Sequence, residues 1–445
     1  MRSRFAASFL WLALAVPARA ETASRRSPVV EAVERVAPAV VNISTSQVVE
    51  RDVAPFPFSS DPTFDQFFRD FFEPRRERMT RTSLGSGVII RDDGTILTNQ
   101  HVVLRSARIT VTLADEREFE ARLVGSDADS DLAVLRVEGD RRLPAAAMGN
   151  SHDLMIGETV IAIGNPFGLS HTVTTGVISA LGRSLRAEEQ VFYDLIQIDA
   201  SINPGNSGGP LLNVDGELIG INSAIYQNAQ GIGFAIPIDR AKRVVADLIN
   251  YGEVQAAWVG LRLQDLTADL AAHFGVQPGS GIIVRGVEDD SPASEARIED
   301  GDVIVAMNDH PVHSVDQWDS LLRDQPVGQT IRLTVVRGQS RLALVLPTLR
   351  YPAERADALA WEGLGLRVTD RARKVTVRDV RRQSPAARVG IRPGDVIAAL
   401  NGRSVETIEQ FRKRLSALRT AQRVLVSVQR GPRLYHVPVP FQRGG

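Results

Sequence analysis

Gly205-Asn206-Ser207-Gly208-Gly209-Pro210-Leu211-Leu212-Asn213 decides how this chain folds. A serine between glycines can expose its hydroxyl, and the glycines let the backbone bend until N–H donors converge on one point. Here those donors would be the N–H groups of Gly205 and Ser207. The same residues satisfy G-x-S-x-G, a pattern that elsewhere forms a strand–elbow–helix turn with its acid and histidine downstream. Downstream of Ser207 the chain starts a strand, not a helix. The later histidines, 273, 310, 313 and 436, all fall in a duplicated C-terminal region. The elbow reading fails on both counts, so the base must lie upstream.

Three histidines do: His101, His152 and His171. His101 stands in Thr98-Asn99-Gln100-His101-Val102-Val103, just after a hairpin in which Ser86–Arg91 and Thr95–Asn99 flank Asp92-Asp93-Gly94. Its partner segment is Ser130-Asp131-Leu132-Ala133-Val134-Leu135, an acid directly ahead of an apolar strand and placed to accept Nδ1–H from an imidazole. Asp127 and Asp129 are rivals, but neither abuts the apolar run. The order His101, Asp131, Ser207 is that of chymotrypsin-like barrels. Further β-type runs lie at Ile109–Leu113, Leu132–Val137, Val160–Gly164, Thr172–Leu181, Val191–Ile198, Leu211–Asn213 and Leu218–Ser223. Many short strands at such spacing predict an all-β barrel or sandwich. A short helix opening at Ser27-Pro28 precedes them, and a helix over Asp239–Asn250, stopped by Gly252, comes after.

The chain has 445 residues and no cysteine, which excludes disulfides, a thiol nucleophile and Cys-based metal sites. At about 150 residues per domain the length suggests roughly three domains. Arg2 and Arg4 lead into an apolar run, Phe5 to Val16, and then Ala18-Arg19-Ala20. That is the pattern of a secretory signal peptide, with cleavage expected after Ala20. The run is shorter than the roughly 20 residues a membrane span needs, so no transmembrane anchor is expected. The net charge of −1 hides two halves: residues 349–445 carry 20 Lys+Arg and 8 Asp+Glu, against 32 and 45 upstream. No HExxH occurs and the histidines are scattered, so neither metal nor cofactor is expected.

The C-terminal region is one domain written twice. Ser291-Pro292-Ala293 recurs as Ser384-Pro385-Ala386, Gly301-Asp302-Val303-Ile304 as Gly394-Asp395-Val396-Ile397, Asn308 as Asn401, and Arg337-Gly338 as Arg430-Gly431. Every pair is 93 residues apart. Each copy begins with glycine among apolar residues, Trp258-Val259-Gly260-Leu261 and Gly363-Leu364-Gly365-Leu366, and the first adds a helix-like stretch, Asp265–Phe274. These copies resemble PDZ domains. The resemblance implies that Val259, Gly260 and Leu261, and likewise Leu364, Gly365 and Leu366, form loops whose N–H groups hold a peptide's C-terminal carboxylate beside a strand to which the peptide adds.

The whole chain after the signal resembles the HtrA (Deg/Do-like) family of periplasmic serine proteases. The stretches that carry the likeness include Gly85–Ile90, TNQHVV at 98–103, SDLAVL at 130–135, GNPFG at 164–168, QIDASINPGNSGGPLLN at 197–213 and GIGFAIP at 231–237. Gln100 and Pro204 depart slightly from the family pattern without removing a catalytic group. The resemblance implies a mainly β fold: a chymotrypsin-like double β-barrel over 21–252, with an insertion at about 46–83, then PDZ-like domains at 255–348 and 360–441. It implies an ATP-independent endopeptidase with His101, Asp131 and Ser207 as its triad and an oxyanion hole from the N–H groups of Gly205 and Ser207. Substrates would be unfolded or damaged envelope proteins in the periplasm, with chaperone behaviour, regulation by hydrophobic C-terminal peptides, and no specific nucleic-acid partner. A preference for aliphatic residues at the cut makes Ile202, Ile225 and Ile232 candidates for the pocket wall. Arg183, within 182–190, matches the family's regulatory loop.

Residues 56–72 hold 7 of the chain's 16 phenylalanines, the last five at i, i+3, i+4, i+7 and i+8 on one helical face. Such a face can dock on the chain's own barrel or, the reading favoured here, contact a neighbouring subunit, and the family resemblance implies a homo-oligomer built on trimers. A rival reading is a proteolytically silent peptide-binding or holdase protein; the complete set of catalytic residue types argues against it.

Overall fold

The computed structural model describes residues 25–53, 75–104, 108–138, 142–165, 171–187, 190–203, 205–223, 231–419 and 423–441. The signal segment and the phenylalanine stripe lie outside the described residues. The chain divides into two compact units, residues 1–242 and 243–445.

The first unit holds two closed barrels. Strands β1 (Val40–Val53), β2 (Arg75–Arg91), β3 (Thr95–Asn99), β4 (Arg108–Thr112), β5 (Glu118–Asp127) and β6 (Leu132–Val137) close in the order β1-β2-β3-β6-β5-β4. Strands β7 (Thr159–Gly164), β8 (Thr172–Ala187), β9 (Gln190–Ile198), β10 (Pro210–Leu212), β11 (Leu218–Ser223) and β12 (Gly233–Pro237) close as β10-β11-β12-β9-β8-β7. Closure leaves no unpaired edge, so each apolar run can be buried on a barrel interior. Ile89, Ile96, Leu97, Val111, Leu132 and Leu135 are fully buried in the first barrel. Val160, Ala162, Ile178, Ile198, Leu211 and Ile219 form the core of the second. The apolar runs read from the sequence become β3, β6 and β11 to the residue. The sequence misses β5 because half of its residues are polar and only Ala121 and Gly125 are buried. It stops β8 at Leu181, whereas the strand runs to Ala187 by pairing with β9. The N-terminal helix Pro28–Val36 has Ser27 as N-cap, its Oγ accepting from Val30 N–H. A second helix, Ile238–Tyr251, begins in this unit and continues past its end at residue 242.

The second unit holds the two copies, whose main sheets repeat one another strand by strand. The first has β13 (Ala257–Trp258), β14 (Leu261–Asp265), β15 (Ile282–Val287), β16 (Val303–Met307), β17 (His310–Pro311), β18 (Thr330–Arg337), β19 (Ser340–Pro347) and β20 (Leu349–Arg350). Its sheet runs β14-β15-β16-β18-β19, with β17 beside β16 and β13 paired only to β20. The second has β21 (Leu366–Arg371), β22 (Lys374–Val380), β23 (Val396–Leu400), β24 (Arg403–Ser404), β25 (Arg423–Arg430) and β26 (Arg433–Pro440), ordered β21-β22-β23-β25-β26. The helix-like stretch after β14 is shorter than its sequence suggests: Asp265 still belongs to β14, and the helix is Ala268–His273, capped by Thr267.

The repeated motifs are repeated contacts. Arg337 grips Asp302 with two bonds of 2.7 Å, and Arg430 grips Asp395 with bonds of 2.6 and 2.7 Å. Both carboxylates are almost wholly buried. Asn308 Oδ1 accepts from Arg332 N–H and Asn401 Oδ1 from Leu425 N–H, each asparagine at positive φ. The 93-residue offset extends into the cores, where Trp318 and Leu322 correspond to Phe411 and Leu415.

Burial alone would raise the Asp395 carboxyl; bonds from Arg430 and from the Arg392 N–H outweigh it and hold the group below the ordinary carboxylate range. That stabilisation is present above the unfolded pKa of about 3.9 and is lost as pH falls through the lower folded value. Arg430→Met strands a buried carboxylate. We expect it to weaken hydrogen-exchange protection of Arg423–Arg430 at pH 7 relative to the unchanged chain. The deficit should shrink at acid pH, where Asp395, raised by burial once Arg430 is gone, takes up a proton and the stranded charge disappears. An equal deficit at both pH values would contradict this.

Candidate active site

Asp131 ends the turn before β6 at φ 52°, a left-handed conformation that Asp tolerates better than most residues. Two bonds fix its backbone: its carbonyl accepts from Gln100 N–H at 3.1 Å and from Asn99 Nδ2 at 3.0 Å. Its side chain faces the short helix Gln100–Val103, where His101 N–H donates to Oδ1 at 3.0 Å. His101 Nδ1 lies 2.8 Å from Oδ2 and 3.0 Å from Oδ1. A carboxylate can only accept, so this contact selects the Nδ1–H tautomer and leaves Nε2 as the basic nitrogen. The acid is buried while the imidazole stays 44% exposed, so the pair is rigid at one end and reachable at the other.

The rival groups are engaged elsewhere. His152 Nδ1 stands 3.5 Å from Asp239, and His171 Nε2 is 3.2 Å from the carbonyl of Val40. Asp127 accepts the N–H and hydroxyl of Ser130. Asp129 is exposed.

Ser207 is buried in the turn between β9 and β10. Two glycines at positive φ shape that turn, Gly205 at 107° and Gly208 at 82°. At Gly208 a Cβ would overlap both the Ser86 carbonyl oxygen and Thr98 Oγ1. Here the serine turn of the second barrel rests directly on the first.

Three residues that sequence reasoning did not single out hold this arrangement. Ser86, fully buried on β2, donates its N–H to the Ser207 carbonyl at 2.9 Å and its hydroxyl to the Gly205 carbonyl at 2.5 Å. Its oxygen also accepts from Asn165 N–H at 2.7 Å. Thr98 Oγ1 donates to the Ser86 carbonyl at 2.7 Å. Ser223, at the end of β11, donates to Asp131 Oδ2 at 3.3 Å. Their partners lie up to 119 residues away in sequence, and a lone Ser or Thr carries no local mark of such a contact.

Residues 85–221 match the family model of the trypsin-like peptidase domain, and residues 258–348 and 363–440 each match that of the PDZ domain. A probable periplasmic serine endoprotease DegP-like of Hahella chejuensis (strain KCTC 2396) is 41% identical over 406 residues, covering 85% of this chain and 86% of the relative. The chain belongs to the DegP-like serine endoproteases. A DegP-like relative from Halomonas elongata is 37% identical and spans 98% of both chains. The solved HtrA-type protease AlgW with decapeptide is 39% identical with a TM-score of 0.53, covering 73% of this chain and 99% of that one. This DegP-like chain is therefore a serine protease, a peptide-bond hydrolase with two PDZ domains.

The remaining expected site residues fare unevenly. Ile202 packs against the second barrel's core, Ile232 is 40% exposed, and Ile225 lies outside the described residues. Arg183 sits on a bulged β8–β9 hairpin rather than in an open loop, its Nε donating to Gln197 Oε1 at 2.9 Å. In the PDZ copies the two loop glycines are equivalent: Gly260 and Gly365 have φ near 80°, and a Cβ on either would overlap Ser291 or Ser384. Those serines, from the repeated Ser-Pro-Ala, cap the helices Pro292–Glu295 and Pro385–Arg388. The loops differ in one respect. Gly365 N–H already donates to the carbonyl of Ala360, closing a π-helical turn over Ala360–Leu364. One donor expected to face a peptide carboxylate in the second copy is thus spent within the chain.

Among the described residues no group of three or more His, Asp or Glu is placed to hold a metal, and no helix is long and apolar enough to cross a membrane.

Proposed function

We propose that this chain is an ATP-independent endopeptidase that cuts unfolded or damaged proteins of the cell envelope, with His101, Asp131 and Ser207 as its catalytic triad. The contact of His101 Nδ1 with the buried Asp131 carboxylate, beside a serine turn fixed by Ser86, carries this reading. His101 Nε2 takes the Ser207 proton as Oγ attacks the scissile carbonyl. The N–H groups of Gly205 and Ser207 receive the resulting oxyanion. The same proton passes to the leaving amine, and water then hydrolyses the acyl-enzyme by the reverse roles. Asp131 holds the tautomer and stabilises the imidazolium without taking the proton itself.

Export through residues 1–20 and action in the periplasm fit the naming of the relatives as periplasmic. Hydrophobic C-terminal peptides are the expected PDZ ligands, in keeping with the peptides bound to AlgW. A trimer-based homo-oligomer, chaperone activity and a regulatory role for Arg183 complete the proposal.

Casein kept unfolded, without ATP, tests it. The unchanged chain should release fragments, and Ser207→Ala should release none above background while still suppressing aggregation of an unfolded client. Because a resting form can be latent, both are repeated with a hydrophobic C-terminal peptide. Equal cleavage by the two chains would remove Ser207 as the nucleophile.

A further inference from the structure

The first copy's peptide groove is not bounded by the first copy alone. A cavity of about 470 Å³ runs along Val259, Gly260 and Leu261 and between β14 and the helix Val315–Arg323. Its remaining wall comes from beyond that copy: Tyr351 and Arg355 of the connecting segment, and Arg419 of the second copy. Arg355 pairs with Glu288 at 2.5 Å and lies over the Trp258 ring, so its charge is answered.

Arg419 differs. It donates Nη1 to the Ser416 carbonyl at 3.1 Å and Nη2 to the carbonyls of Ala256 and Ala257, immediately before the loop. Its guanidinium also stands 5.5 Å from the Tyr351 ring centroid. All these partners are neutral. Among the described residues no carboxylate lies within ion-pair distance of it; burial and the positive charge of Arg323 push its guanidinium down to about 10, against the weaker opposing pull of Asp319 and Glu288. A partly buried cation held only by neutral acceptors lacks part of the compensation that burial demands. It faces the cavity at the loop where a peptide's negative end would sit.

We propose that Arg419 supplies the cation for a carboxylate bound at the Val259–Leu261 loop, so that the second copy completes the first copy's peptide site. This rests on the reading that the first copy binds a peptide C-terminus. The loop N–H groups and Arg419 then act on one ligand group, and the first copy discriminates a free C-terminus from a neutral chain end through a residue 158 positions beyond Leu261. Arg419 is a specificity determinant, not a catalytic residue.

The test uses the full chain carrying Ser207→Ala, so that nothing is cut. A labelled decapeptide ending in Ala-Leu-Val is titrated as the free acid and as its C-terminal amide. The acid should bind more tightly, and Gly260→Ala should weaken it, placing it at the first copy. Arg419→Gln should cut the acid-over-amide preference about tenfold, the scale of one charge-assisted contact, with amide binding unchanged. Arg419→Lys should recover most of the preference. A parallel loss for acid and amide, or an unchanged preference, would overturn the role of Arg419 and leave the peptide reading standing. Failure of the parent to bind either peptide, or insensitivity to Gly260→Ala, would overturn the peptide reading and the inference with it.

Discussion

Asp131→Asn is expected to lower kcat/KM on an unfolded substrate about ten-thousandfold while the chain stays folded. Asparagine tolerates the φ of 52° at this position, and the main-chain bonds to Gln100 and Asn99 use the carbonyl, which the substitution keeps. The loss arises at the His101 ring. The carboxylate offers acceptors to both His101 N–H and His101 Nδ1. An amide offers one acceptor and one donor, and when its NH₂ faces Nδ1 the proton moves to Nε2, the nitrogen that must be free to take the Ser207 proton. Melting temperature and initial rate, measured on the same preparation, check this. A variant with near-normal rates would mean that Asp131 only shapes the turn.

Gly208→Ala carries the second large effect, by a different route. The position combines φ of 82° with a neighbourhood closed by the Ser86 carbonyl and Thr98 Oγ1, and those two are bonded to each other at 2.7 Å. A methyl group can be accommodated only if the serine turn lifts off the first barrel, which would break the bonds from Ser86 to Ser207 and Gly205. Displacing a nucleophile by about 1 Å costs about a hundredfold in rate, so a loss of at least that size is expected, together with a lower melting temperature. Gly231→Ala is the control. Its φ is 75°, yet among the described residues no atom lies within 4 Å of the added carbon, so it carries the backbone strain without a clash of the Gly208 kind. If the two variants lose activity equally, the contact with Ser86 is not what positions Ser207.

The sequence showed most where function and fold meet in contiguous residues. Ser207 among its glycines, His101 after a hairpin and Asp131 at the foot of an apolar strand are each local patterns with a chemical reason. The repeated pairs were visible as an offset, and the contacts explain it: Asp302 with Arg337, and Asp395 with Arg430, can only be kept or lost together. What stayed hidden depends on distant partners. Ser86 and Ser223 look like any other serine until the barrels bring Gly205 and Asp131 beside them. Ile202 shows the converse: an apolar residue near a nucleophile suits a pocket as well as a core, and its partly buried packing against the second barrel's core is compatible with both. Arg419 was one arginine among many in a basic tail until the fold set it against two carbonyls of the other copy.

The two-residue ladder of β13 with β20 has a bearing on how such a chain grows. Ala257 lies opposite Arg350 and Trp258 opposite Leu349, so the first copy begins and ends at neighbouring points about 4.8 Å apart. It is a cassette whose entry and exit share a seam. Chain can be spliced in at that seam, or a whole copy removed from it, without stretching what lies on either side. A tandem duplication therefore needed no new path for the backbone. What it did create was a neighbour close enough to lend an arginine.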